Sequence, residues 1–142
     1  MSQDPHPQTT VRFEWRGEFG NDELNALHAG AFGHRVYSAV EWDWRSIVER
    51  HSLGWVVARD GEVLVGFLNV PWDGLVHAWI QDVMVANTHR RQGVGPRLAS
   101  VARDSAREAA CEWLHVDFDP DLEAFYRACG FTPTAAGLIA LR

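Results

Sequence analysis

The chain contains no lysine: all thirteen residues of the Lys-plus-Arg class are arginine. That absence excludes a nucleoside-triphosphate P-loop, whose Gly-Lys-Ser/Thr step sets an ammonium group against the phosphates. A protein without lysine that handled activated acyl groups would also carry no side-chain amine of its own to be modified. Cysteine is scarce. Cys111 and Cys129 lie in helix-like apolar contexts without metal-ligand spacing, so reduced core thiols are expected. The seven histidines are scattered and form no HExxH pair, and no metal is expected. Basic charge is in deficit, with a net of −6, which argues against a nucleic-acid partner. No apolar run approaches the roughly 20 residues of a membrane-spanning helix, so no membrane partner is expected. Residues 1–10 are polar and lack the apolar stretch of a signal peptide, which makes the expected location cytoplasmic. Residues 1–9 read as a flexible N-terminal tail. Repeats, low-complexity tracts and linkers are missing as well. What remains is 142 residues with 46% hydrophobic content, enough for one domain with a real core over 10–142.

Val11, Phe13 and Trp15 alternate with Arg12, Glu14 and Arg16, a period-two strand. Asn21 or Asp22 can cap a helix carrying Leu24, Leu27, His28, Ala31 and Phe32 at helical spacing, closed by Gly33. Ser38 and Glu41 form a capping-box pattern. The helix behind it places Val40, Trp44, Ile47, Val48 and His51 on one side. Strands at 55–59 and 62–70 flank the hairpin signal Asp60-Gly61. After the turn Pro71-Trp72-Asp73-Gly74, a long fourth strand covers 75–85. A helix over 96–110 packs through Leu98, Val101, Ala102, Ser105 and Ala109, and a fifth strand spans 113–118. Asp119 as N-cap and Pro120 in the first turn begin another helix, with Leu122, Phe125, Tyr126 and Cys129 on one face. Gly130 closes it, Phe131 follows as a hydrophobic clasp, and residues 138–141 form a last short strand. The order is β–α–α–β–β–β–α–β–α–β. Only the fourth and fifth strands have the spacing of a parallel crossover, so the fold class is α/β with a mixed sheet.

The most informative stretch is Arg90-Arg91-Gln92-Gly93-Val94-Gly95, between the fourth strand and a helix. A glycine-containing turn that opens a helix aims several backbone N–H groups in one direction, and the helix dipole adds positive potential there. The glycines permit close approach of the main chain, and the arginines offer charge-assisted hydrogen bonds. The turn reads as a cradle for a pyrophosphate. A dinucleotide fold would put such a loop after the first strand of repeated βαβ units. Here four strands and two helices precede it, so that topology fails.

The strand Asp82-Val83-Met84-Val85, the loop at 90–95 and the segment Phe125-Tyr126-Arg127-Ala128-Cys129-Gly130-Phe131 together resemble the GCN5-related N-acetyltransferase (GNAT) superfamily. The loop matches its Arg/Gln-x-x-Gly-x-Gly/Ala motif and the later segment its Phe-Tyr-x-x-x-Gly-Phe helix end. The element order fits over nearly the whole chain. The resemblance implies a V-shaped cleft where the fourth and fifth strands splay, with acetyl-CoA as co-substrate. Main-chain groups of Val83, Met84 and Val85 would meet the pantetheine arm. The backbone of Arg91, Gln92, Gly93, Val94, Gly95 and Pro96, with Arg90 beside them, would hold the pyrophosphate. Tyr126 stands where the family's tyrosine protonates the departing thiolate, and a phenol with a pKa near ~10 keeps its proton at neutral pH. Two positions depart from the pattern. Gln81 and Asp82 stand where a glutamate is frequent, and Asp119 stands where an asparagine is frequent.

An acceptor amine must lose a proton before it attacks a thioester, since a lysine-like amine is mostly protonated at neutral pH. Gln81 cannot take that proton. Asp82 could act directly, act through a water, or bind the ammonium group, and a bulge would decide which way it faces. Phe32, Tyr37, Trp42, Trp44 and Trp72 cluster in sequence with Glu41, Asp43 and Asp73, which suits an amine with an apolar body. Trp44 falls on the core face by periodicity. Trp42 and Glu41 are the candidate substrate contacts. The resulting expectation is an N-acetyltransferase acting on a small-molecule or peptide amine by direct attack in a ternary complex. The alternatives are a CoA-holding sensor module and an acyltransferase for longer acyl chains. The sequence leaves the oligomeric state open, a homodimer included.

Overall fold

The alternating and apolar runs of the sequence pair up in chain order. The computed structural model describes residues 10–142; the expected tail at 1–9 lies outside them. Strands β1 (Val11–Trp15), β2 (Ser52–Asp60), β3 (Val63–Pro71), β4 (His77–Val85) and β5 (Trp113–Val116) form a five-stranded sheet in the order β1-β2-β3-β4-β5. The first three junctions are antiparallel and β4–β5 is parallel. The mixed α/β sheet follows from the connections: hairpins and returns join the early strands, while a helix must carry the chain back before β5 can align with β4.

Four helices cover the sheet: α1 (Asn21–Phe32), α2 (Trp44–His51), α3 (Val94–Glu108) and α4 (Glu123–Ala128). Strand alternation sorts the core into two layers. Val56, Ala58, Val65, Ala78 and Ile80 pack with Val94, Leu98 and Ala102 of α3. Trp55, Val57, Leu64, Phe67 and Met84 pack with Leu24, Leu27, Trp44 and Val48 of α1 and α2. β2 and β3 are thus covered on both faces, which is why their sequences read as apolar runs rather than alternations.

Several boundaries differ from the sequence expectation, each for a local reason. Gly20, not Asn21 or Asp22, caps α1, and the Glu23 carboxylate accepts the Gly20 N–H at 2.9 Å. Asn21 instead serves α2: its Oδ1 accepts the Arg45 N–H at 3.0 Å and its Nδ2 donates to Asp43 at 2.9 Å. Ser38 and Glu41 make the reciprocal capping contacts, at 3.0 and 3.2 Å, but they close an isolated turn. The helix starts at Trp44, where Asp43 accepts the Ser46 N–H. Val40 therefore stands outside the helix, 95% exposed, and His51 is exposed too. Asp119 heads a single 3-10 turn (Pro120–Leu122) before α4 and makes no side-chain cap.

The expected sixth strand is a correction. Residues 131–142 have no regular secondary structure, and Leu138 and Ile139 are each 82% exposed. A strand exists only as a hydrogen-bonded ladder, and this apolar run pairs with no edge of its own sheet.

Candidate active site

β4 and β5 are in register over four pairs, from His77↔Trp113 to Ile80↔Val116. β5 then stops, short of the expected end at Phe118, while β4 runs on to Val85 and stays paired with β3. From Gln81 to Val85 the edge of β4 away from β3 therefore faces no strand. Val83, Met84 and Val85 lie on this opened edge. A bare peptide edge accepts ligand groups that hydrogen-bond as a strand would.

The loop after β4 is pinned before it turns. The Ala86 N–H donates to Val65 at 2.8 Å, and His89 Nε2 lies 2.8 Å from Asp60 Oδ2. The His89 and Thr10 contacts hold the Asp60 carboxyl below its ordinary pKa. Arg91 (φ 62°) and Gly93 (φ 81°) both adopt the left-handed conformation, and Gly93 caps α3 without any side-chain acceptor. Among the described residues, the N–H groups of Gln92, Gly93, Val94 and Gly95 donate to no protein acceptor. Pro96 lines the same turn but has no N–H to offer. Four uncommitted amides at the head of a 15-residue helix make an anion-binding end. Arg90 and Arg91 are exposed beside it.

Tyr126 is reached through the same loop. A Cβ placed on Gly95 would sit 3.3 Å from Phe125 Cζ, so the glycine lets α4 dock against the start of α3. Tyr126 is 7% exposed. It stacks on Phe118 at 5.0 Å and meets Phe125 and Phe131 edge-on. Phe131 does clasp the helix end, its N–H donating to the Tyr126 carbonyl at 3.0 Å. The phenol makes no hydrogen bond within the described residues. Burial, with a smaller contribution from Cys129, pushes its pKa up, so the O–H is retained at neutral pH. Cys111 and Cys129 line a separate pocket of about 250 Å³ between α3 and β5. Burial raises both thiols.

Asp82 sits on a bulge. Asn69 faces Gln81 and Phe67 faces Met84, so β4 carries one residue more than β3 across this interval. Asp82 absorbs the extra residue with φ 57°. Gln81 is exposed, whereas Asp82 turns inward to Asn69, whose Nδ2 donates to Asp82 Oδ2 at 3.1 Å. Asn69 is 2% exposed and in turn accepts the Ser52 hydroxyl. Burial raises the Asp82 pKa, opposed by the Asn69 hydrogen bond and by the charge of His28. Asp82 and Tyr126 share no hydrogen bond.

Opposite Asp82 stands a wall of rings from α1 and the segment before α2. His28 lies 5.0 Å from Phe32, stacks with Trp42 at 6.1 Å and meets Trp44 edge-on at 5.3 Å. Tyr37 stacks on His34 at 4.5 Å and on Trp42 at 5.8 Å. Buried Asn25 fixes the wall: its Oδ1 accepts the Trp44 indole N–H at 2.9 Å and its Nδ2 donates to the Trp42 carbonyl at 3.2 Å. Trp44 is in the core at 1% exposure; Trp42 is 41% exposed and lines a shallow pocket of about 320 Å³ with Glu41, Ser46 and Arg50. The Glu41 carboxylate already has a partner. Arg35 binds it through both terminal nitrogens, and these bonds with the Ser38 N–H lower its pKa to about 2.

The structure thus joins the loop to α4, and sets Asp82 within electrostatic reach of His28 in the aromatic wall. Sequence reasoning missed Asn25, Asn69 and the packing of His28 into the ring wall. Asn69 had a legible sign, a lone amide inside an apolar strand buried on both faces. Asn25 and His28 had none, because their partners lie in other elements.

The sequence model of the acetyltransferase (GNAT) family matches residues 20–131. Among curated proteins, the tRNA(Met) cytidine acetyltransferase TmcA of Pectobacterium atrosepticum is 34% identical over 84 residues, covering 58% of this chain and 12% of that protein. A probable glucosamine 6-phosphate N-acetyltransferase 2 of Oryza sativa subsp. japonica is 36% identical over 52 residues, covering 37% of this chain and 31% of that protein. The chain therefore spans less than a third of the length of either relative. Among solved structures, the aminoglycoside N-acetyltransferase AAC(6')-Iy in complex with CoA superposes with a TM-score of 0.75 at 16% identity, over 99% of both chains. With the family match across most of the chain and this shared fold, the protein belongs to the GNAT acetyltransferase family.

Proposed function

We propose that this protein, as one domain over residues 10–142, is an acetyl-CoA-dependent N-acetyltransferase that acts on a primary amine, small molecule or peptide, by direct attack in a ternary complex. One observation carries this reading: the uncommitted amides of Gln92 to Gly95 lie next to the opened edge of β4. A pyrophosphate followed by a peptide-like pantetheine arm needs those two things in that order. The residues present fit the group, and the solved AAC(6')-Iy complex binds CoA on the same fold.

Acetyl-CoA would supply the activated thioester. Around it, Arg90 to Pro96 bind and neutralise the diphosphate, and Val83, Met84 and Val85 pair with the pantetheine through their main chain. A β4 backbone N–H stabilises the carbonyl oxygen as it gains charge. Tyr126, whose burial keeps the phenol protonated, donates its proton to the departing thiolate. Asp82 faces the aromatic wall and draws in the acceptor's ammonium group. Trp42 packs against the acceptor's apolar body, and Glu41 supports that wall through Arg35. The unpaired, half-buried cysteines suit a reducing compartment, the cytoplasm.

Calorimetry with CoA and acetyl-CoA, followed by thiol release with a panel of amines, tests the reading. Heat of binding together with amine-dependent thiol release is the expected result. Binding without release from any amine would leave a CoA-holding module instead. No heat with either ligand would remove the cradle itself.

A further inference from the structure

The ring wall contains a wire of hydrogen bonds that fixes where one proton sits. The Arg35 carbonyl can only accept, and His34 Nδ1 lies 2.6 Å from it, so His34 Nδ1 carries the hydrogen. A neutral His34 then has a bare Nε2, which lies 2.8 Å from His28 Nδ1. That contact requires the hydrogen on His28 Nδ1. The remaining nitrogen, His28 Nε2, is therefore a bare lone pair, and no protein donor meets it among the described residues.

We propose that His28 Nε2 takes the proton from the acceptor's ammonium group, with Asp82 as its anionic neighbour. This inference rests on the acetyl-transfer reading and names a catalytic residue for it. An N–H bond of the ammonium group breaks and one forms at His28 Nε2. The freed amine lone pair attacks the thioester carbonyl and forms the carbon–nitrogen bond, the carbon–sulfur bond breaks, and the Tyr126 proton goes to the thiolate. The second proton that the nitrogen sheds on becoming an amide restores the phenol by way of solvent. The imidazolium later gives its proton to water.

The surroundings match the role. Phe32, Tyr37, Trp42 and Trp44 pack around the ring and bring no charge to it. The titratable groups that face His28 are His34 and Tyr37 from the segment after α1 and Asp82 from β4; Arg35 is committed to Glu41. Burial, then His34, pushes the His28 pKa below its usual 6.5, against the pull of Asp82. The ring is neutral at neutral pH and able to accept. The Asp82 carboxylate already accepts the Asn69 amide at 3.1 Å, whereas His28 Nε2 meets no protein donor among the described residues. The two groups have separate roles. Asp82 attracts the cation, and His28 removes its proton and gains a counter-charge as it does so.

Two measurements decide the matter. In 15N-histidine NMR of the free protein near neutral pH, His28 is expected as the Nδ1–H tautomer, the less populated form of an unconstrained imidazole. In turnover with the amine panel, His28→Gln is expected to lower kcat/KM by on the order of 10²-fold or more. It should erase the acidic limb of the pH profile and leave CoA affinity unchanged. His34→Ala should release the tautomer and weaken turnover less. A His28 hydrogen found on Nε2, or a His28→Gln profile identical to wild type, overturns this assignment alone. Wild-type protein that transfers to no amine overturns the functional reading beneath it and this assignment with it.

Discussion

At the head of α3 the working groups are main-chain amides from consecutive residues, 92 to 95, whose direction is fixed by the left-handed Arg91 and Gly93. Around His28 the working groups are side chains gathered from separate places: Asp82 on a β4 bulge, Asn69 on β3, Asn25 on α1, and Trp42 ahead of α2. On the proposed reading the first region would bind what does not vary, a diphosphate and an amide-bearing arm. The second would choose among amines. A backbone site tolerates side-chain change but not a change of backbone freedom, and a side-chain network does the reverse. Substitutions should therefore separate the two halves of the cleft cleanly.

The largest effect is expected at Gly95, where cofactor affinity and turnover should be lost together. In Gly95→Glu the new Cβ meets the Phe125 ring at 3.3 Å and a carboxylate enters an anion site. CoA affinity should fall on the order of 100-fold or more by calorimetry, a loss of roughly 2.7 kcal/mol. Near wild-type affinity would break the contrast, because the loop would then not be a backbone cradle. Tyr126→Phe comes next. It removes the phenolic proton and keeps the ring that packs on Phe118 and Phe131. Turnover should drop by about 10²- to 10⁴-fold with CoA affinity retained. A parallel loss of affinity would make Tyr126 a packing residue of the cradle and not the acid.

The same contrast explains what could be read before folding. The turn at the head of α3 was legible because its signal is local: glycines at fixed offsets, a strand before and a helix after. The mixed character of the sheet was legible for a similar reason, since a hairpin turn implies an antiparallel junction and one helical crossover a parallel one. Three features were not. The β4 bulge arises from pairing with β3, and nothing in Gln81-Asp82-Val83 announces it. The start of α2 moved from Ser38 to Trp44 because buried Asn25 fixes Trp42 and Trp44 from another helix. The last apolar run failed to become a strand because pairing needs an edge as well as a composition. The His28–His34 wire belongs with these, since the last turn of α1 and its left-handed Gly33 cap had to bring the two rings together.

Asn25 tests how much of the acceptor side is architecture. It is fully buried and satisfies both the Trp44 indole N–H and the Trp42 carbonyl. Asn25→Ala strands both groups, at a cost of about 1–3 kcal/mol. A urea or thermal melt should show that loss, with CoA affinity per folded molecule unchanged. A neutral result would mean that the wall holds itself together by ring packing alone.

The smallest expected effect lies away from the cleft, in the ion pair of Glu23 and Arg59, which joins the start of α1 to β2. The Arg59 hydrogen bond is the main influence on the Glu23 carboxyl and, with the Gly20 N–H, holds it below its ordinary 4.5 against the opposing effect of burial. A carboxyl with a depressed folded pKa stabilises the protein fully above its unfolded value. That contribution disappears as pH falls through the folded value. The Glu23 side chain is 36% exposed, so solvent screening keeps the effect under about 1 kcal/mol. Wild type should therefore melt above Glu23→Gln at neutral pH, and the gap should close as pH falls below the ordinary carboxyl value of 4.5 and through the depressed folded one. A gap that stayed constant with pH would assign the contact to hydrogen bonding and cap geometry, with no share from the charge.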